Sequence, residues 1–133
     1  MKPETELKLD NPLLEFLGVR MLDWQPGICS FGLGIEPRHL NRTRSLHGGV
    51  IATLLDAACG YSGLYDPDGN TSLNAVTIML NISYIGKVDS GHMTVTGQVT
   101  GAGHRIYFAG AELRHETGTL IATAQGTFKR SAL

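Results

Sequence analysis

The sequence predicts an α+β fold in which an antiparallel sheet curls around one long, buried helix. Two observations carry that expectation. Residues 48–64 are apolar on nearly every helical face, through Val50, Ile51, Ala52, Leu54, Leu55, Ala57, Ala58 and Tyr61, and a helix of that kind has to be covered on all sides. After the turn signal Asp66-Pro67-Asp68-Gly69-Asn70, hydrophobicity recurs with a period of two rather than near four, which is the pattern of strands. Strands that follow such a helix can hide it only by wrapping around it.

The elements follow in order. Asn11 can cap a short helix whose first turn contains Pro12, whose apolar face is Leu13, Leu14, Phe16 and Leu17, and which Gly18 stops. From Val19 to Ile35 the pattern is strand-like, with a turn at Gln25-Pro26-Gly27. The long helix comes next. In the strand from Ser72 to Ile85, Val76, Ile78, Leu80, Ile82 and Tyr84 fall on one face and Thr77 on the other; from Gly91 to Thr100, Met93, Val95 and Val99 oppose Thr94, Thr96, Gln98 and Thr100. Two last strands, His104 to His115 and Thr119 to Lys129, are joined by a hairpin at Glu116-Thr117-Gly118. A helix filling a curled antiparallel meander is the hotdog architecture, expected here as one domain over residues 1–133. An open two-layer sandwich would leave a flank of the long helix in water, which its composition disfavours.

With 42% hydrophobic and 17% charged residues and a formal net charge of -1, the chain has an ordinary globular balance and lacks the basic excess of nucleic-acid-binding domains. Cys29 and Cys59 show no metal-ligand spacing and no disulfide framework, and the polar stretch Met1 to Asp10 contains no apolar leader segment. No apolar run approaches the roughly 18 residues of a membrane span. The expectation is a reduced, cytoplasmic protein with no nucleic-acid or membrane partner. One local basic cluster, Arg38, His39, Arg42 and Arg44, precedes the long helix, where it is either a phosphate contact or a solvated loop.

Asp56 is the most informative residue. A carboxylate within an apolar helix costs several kcal/mol, in order of magnitude, unless it is paired, protonated or facing a cavity. Gly48 and Gly49 open the same helix, where the first N–H groups lack intrahelical partners and the macrodipole adds positive potential. Without a Cβ they admit a carbonyl oxygen closely, as an oxyanion hole requires. Asn41 and His47 flank this turn and could orient or polarise the same carbonyl. His39, His92, His104 and His115 show no paired ligand spacing and read as surface or loop residues. Gly49 and Asp56 lie seven residues apart, roughly 10 Å along a helix axis, too far for one small carbonyl group to touch both. If both serve one reaction, the helix start of one subunit faces Asp56 of another, so the spacing argues for a homodimer with two equivalent composite sites.

The spacing Asn41-x5-His47-Gly48-Gly49-x6-Asp56 resembles the phenylacetate-degradation (PaaI-like) group of hotdog thioesterases. Asn81-Ile82-Ser83-Tyr84 and Ala122-x-Ala124-x-Gly126-Thr127-Phe128 extend the likeness over almost the whole chain. The resemblance implies hydrolysis of acyl-CoA thioesters without metal or bound cofactor, in dimers that pair into tetramers. By position, Asp56 would be general base or nucleophile, Gly48 or Gly49 N–H and the Asn41 amide would polarise the carbonyl, and His47 would hold the loop in shape. Thr77 matches a hydroxyl position that helps orient water. By strand alternation, however, Thr77 faces away from the core row, where a β-branched residue is ordinary. Helix residues such as Leu55, Cys59 and Tyr61 would line an acyl tunnel, while Arg38, Arg42, Arg44, Lys87, Arg105 and Arg130 are candidates for the CoA phosphates by charge alone. A hotdog dehydratase would pair a His with a carboxylate at another spacing. An acyl-CoA sensor would need no base, and a purely structural dimer module would give Asp56 no role.

Overall fold

The computed structural model describes residues 9–67 and 73–132. In chain order the elements are α1 (Pro12–Leu17), β1 (Arg20–Gln25), β2 (Ile28–Gly34), a single 3-10 turn (Pro37–His39), α2 (Gly48–Ser62), β3 (Leu73–Tyr84), β4 (His92–Ala102), β5 (Ile106–His115) and β6 (Leu120–Ala132). The short helix forms as its sequence demands: Asn11 Oδ1 accepts from the Leu14 N–H, Pro12 occupies the first turn, and Gly18 takes the left-handed conformation (φ 81°) that closes it. Of its expected apolar face only Leu14 is buried. Residues 68–70 of the expected turn after α2 lie outside the described residues.

All six strands join one antiparallel sheet in the order β1-β2-β4-β5-β6-β3. The expected meander therefore holds only for β4, β5 and β6. Strand β3 goes to the far edge beside β6, and β2 takes the place next to β4. The sheet wraps α2, which packs against every strand, so the architecture is the hotdog. Met93 and Val95 on β4, Tyr107, Ala109, Ala111 and Leu113 on β5, and Ala122, Ala124 and Phe128 on β6 form the inner layer. Against it lie Ile51, Leu54, Leu55, Ala58 and Cys59 of α2. The helix approaches the sheet closely at Gly97 of β4, where any Cβ would collide with the Ala58 carbonyl. Only glycine lets backbone meet backbone there.

Strand β3 departs from the sequence expectation. Its register with β6 runs Thr77↔Phe128, then Met79↔Thr127 and Leu80↔Gly126, leaving Ile78 as the extra residue of a bulge. The bulge reverses the alternation. After it, Leu80, Ile82 and Tyr84 lie opposite the inward residues Gly126, Ala124 and Ala122, as expected. Before it, Thr77 rather than Val76 shares the inner face, while Val76 (56% exposed) and Ile78 (57%) point outward. The single core row from Val76 to Tyr84 is thus two half-rows.

Candidate active site

The N-terminus of α2 is built by side chains of the preceding loop. Asn41 Oδ1 accepts hydrogen bonds from Thr43 N–H (3.0 Å), Thr43 Oγ1–H (2.8 Å) and Ser45 N–H (3.0 Å). These donors identify the atom as oxygen and leave the Asn41 amide NH2 as the end that can donate elsewhere. His47 is the N-cap of α2: its Nδ1 accepts from the Gly49 N–H at 2.8 Å. A backbone N–H can only donate, so Nδ1 carries no proton and the neutral ring holds its proton on Nε2. Of the two expected helix-start donors, Gly49 N–H is therefore occupied in this structure. Gly48 N–H, the first of the helix, has no partner among the described residues, as expected of a first-turn donor. From the other side, the Tyr84 hydroxyl donates to the Gly48 carbonyl at 2.9 Å.

Asp56 lies two turns further along α2 and is half-buried rather than enclosed. The Thr77 hydroxyl donates to its Oδ1 at 2.7 Å, and among the described residues Oδ2 has no hydrogen-bond partner. Thr77 reaches the carboxylate within one chain because the bulge turned it inward, overturning the sequence expectation that it faces away. Asp56 and Thr77 stand in the wall of an open cleft of about 730 Å³, whose apolar lining includes Trp24, Tyr61, Leu64 and Leu13. Trp24 packs edge-on against Tyr61, and its indole N–H donates to the Tyr61 carbonyl at 2.9 Å. Burial pushes the Tyr61 phenol above its ordinary range, so it stays protonated. Of the three residues expected to line an acyl tunnel, only Tyr61 borders this cleft. Leu55 and Cys59 are fully buried against the sheet, because a helix that packs on a sheet turns each side chain to one face only.

The basic cluster does not survive as a unit. His39, expected as a surface or loop residue, lies in the connecting 3-10 turn but is completely buried: Nδ1 accepts from Glu36 N–H and Nε2–H donates to the Leu17 carbonyl, tying the turn to α1. Arg38 spends its guanidinium on the Phe16 carbonyl and Glu36. Arg130 donates to the Gly63 carbonyl and lies over the Tyr107 ring. Among the described residues, no group of three metal-ligating side chains converges, and no helix is long and apolar enough to cross a membrane. A second hollow, about 670 Å³, lies on the outer sheet face over Gln98, Phe108 and Gln125 and touches none of the candidate residues.

The helix start, the carboxylate and the wrapped sheet together define a hotdog domain with a polar site at its central helix. Residues 44–122 match the family model described as the thioesterase superfamily. Acyl-coenzyme A thioesterase 13 of Mus musculus is 30% identical over 102 residues, covering 75% of this chain and 69% of that protein. Among solved structures, a thioesterase of Haemophilus influenzae superposes with a TM-score of 0.84 at 18% identity, covering 100% of this chain and 93% of the other. The PaaI protein from the phenylacetic acid degradation operon of Escherichia coli gives 0.81 at 21% identity, covering 92% and 86%. The chain belongs to the thioesterase superfamily and is a thioester hydrolase. The matched segment contains His47, Gly48, Gly49, Asp56 and Thr77, and Asn41 falls just before it.

Proposed function

We propose that this protein hydrolyses acyl-CoA thioesters to the free acid and CoA, as a member of the PaaI-like group. The observation that carries the reading is the Asp56 carboxylate, held at one oxygen by Thr77 and, among the described residues, unpartnered at the other, beside an apolar cleft. The acyl group lies in that cleft. Gly48 N–H and the Asn41 NH2 polarise the thioester carbonyl and receive the oxyanion. Oδ2 of Asp56 takes a proton from water while the water oxygen attacks the carbonyl carbon, and the C–S bond then breaks to release the CoA thiolate. Direct attack by Oδ2, giving a mixed anhydride that water opens, uses the same free oxygen.

Gly48 and Asp56 are eight residues apart, roughly 12 Å along the helix, so each site draws its oxyanion donors and its carboxylate from different subunits of a homodimer. Strand β3 supports this assembly. It is an edge strand of 12 residues with Leu73, Val76, Ile78 and Met79 exposed, and an unpaired apolar edge is a template for a second copy. Two such dimers pair into a tetramer. Two free, buried cysteines fit a reducing, cytoplasmic setting.

The test combines two impaired variants. Asp56→Asn and Asn41→Ala subunits, each assayed against a panel of acyl-CoAs and then mixed after partial unfolding, should regain activity, because one heterodimer site unites an intact Asn41 with an intact Asp56. Absence of recovery in heterodimers that demonstrably form would place each site within one subunit, and full turnover by Asp56→Asn alone would remove the carboxylate from the chemistry.

A further inference from the structure

We propose that Tyr84 is a positioning residue for the oxyanion end of the site, fixing the Gly48–Gly49 peptide and, through it, the ring of His47. The inference rests on the reading of Gly48 N–H as the donor to substrate. Tyr84 ends β3, and its ring carbons and hydroxyl lie 3.5 to 3.7 Å from where a Cβ on Gly48 would stand. Its hydroxyl donates to the Gly48 carbonyl at 2.9 Å, while the N–H of that same peptide, belonging to Gly49, donates to His47 Nδ1 at 2.8 Å. One planar unit is therefore gripped at both ends.

The grip matters because the unit joins two glycines at the first turn of a helix. Without Cβ atoms on either side, that peptide plane has the least steric restraint of any in the chain, and its position in the helix denies its N–H an intrahelical acceptor. Side chains have to supply what the helix does not. A hydrogen bond to the carbonyl also polarises the amide and strengthens the N–H as a donor, which favours the tautomer with Nδ1 as acceptor and Nε2–H outward. Tyr84 is 56% exposed, so its ring adds little to the core, and its phenol has the Gly48 carbonyl as its partner.

Tyr84→Phe removes the hydroxyl and keeps the ring. Its kcat should fall roughly tenfold, less than the roughly hundredfold loss typical of deleting an oxyanion donor itself, with KM and melting temperature close to wild type. In ¹⁵N spectra of the His47 ring, the wild type should show an unprotonated Nδ1, and Tyr84→Phe should show the signals moving toward a mixture of tautomers. An unchanged kcat, an unchanged tautomer, or a melting temperature that falls while kcat and KM both deteriorate would overturn the assignment. So would a wild-type ring protonated at Nδ1, a measurement that needs no variant. Because the spectrum needs no turnover, a wild type that hydrolyses no acyl-CoA would defeat the proposed function while leaving this test standing.

Discussion

At the start of α2, several side chains converge on one short stretch of backbone: Asn41 organises the approach loop, His47 caps Gly49, and Tyr84 holds the Gly48 carbonyl. Eight residues later, among the described residues, one hydroxyl donates a hydrogen bond to Asp56. Under the proposed reaction, the contrast follows from what each end would have to do. Donors that stabilise an oxyanion work by being fixed before the charge appears, so geometry there is over-determined. A carboxylate that takes a proton or forms a bond needs one oxygen oriented and the other unencumbered. The same helix thus carries a rigid end and an open middle, on faces set by its packing against the sheet.

The sharpest way to break this contrast is Asp56→Asn, which keeps the shape and a hydrogen-bond acceptor for Thr77 but removes the base. Turnover of acyl-CoA should drop by about a thousandfold, within the range that general-base groups contribute, while the melting temperature holds. At the rigid end, Asn41→Ala should cost roughly a hundredfold in kcat; it also unties the loop, so circular dichroism and melting curves are needed to separate lost polarisation from lost order. Thr77→Val preserves volume and branching and removes only the donor to Asp56. A hydrogen bond to a charged group contributes roughly 1.5 kcal/mol or more, so kcat should fall about tenfold, a loss intermediate between losing the base and losing nothing.

The smallest effect concerns the buried side of the helix. Cys59, three residues past Asp56, is buried against the sheet, and burial, with a smaller contribution from the Asp56 charge, pushes its thiol from 9.0 up to about 12. The unfolded chain ionises this group first, so its contribution to stability is fully present below pH 9 and is lost as the pH rises toward the folded value. The melting temperature should therefore decline above pH 9, and less steeply in Cys59→Ala. Thiol reagents at neutral pH should leave activity unchanged, because the thiolate is the reactive form; inactivation of the native protein would mean that the dry face opens.

Much of this was legible beforehand. Asn11, Pro12 and Gly18 bounded α1, the Glu116-Thr117-Gly118 hairpin and the alternation of β4 were plain, and α2 begins at the Gly48 its motif marks. What stayed hidden depends on pairing. A bulge adds one residue without changing composition, so Val76 and Ile78 read as core when they form an outward apolar row. Pattern reading registers that a residue is apolar but not which surface it faces. The burial of His39 was hidden for a similar reason: its two partners are backbone atoms of Glu36 and Leu17, and no side-chain pattern announces them. The occupied Gly49 N–H was foreseeable only in part, since a His before two glycines caps as readily as it catalyses.

The extra residue at Ile78 also sets an arithmetic condition on the chain. Thr77 and Tyr84 are an odd number of positions apart, so in an unbroken pleat they would lie on opposite faces, yet both reach α2. Their cooperation is a matter of parity. Substitutions along β3 can vary freely so long as the count survives, whereas the loss of one residue between them would strand either the hydroxyl at Asp56 or the phenol at Gly48 on the wrong face, with both of those side chains still present.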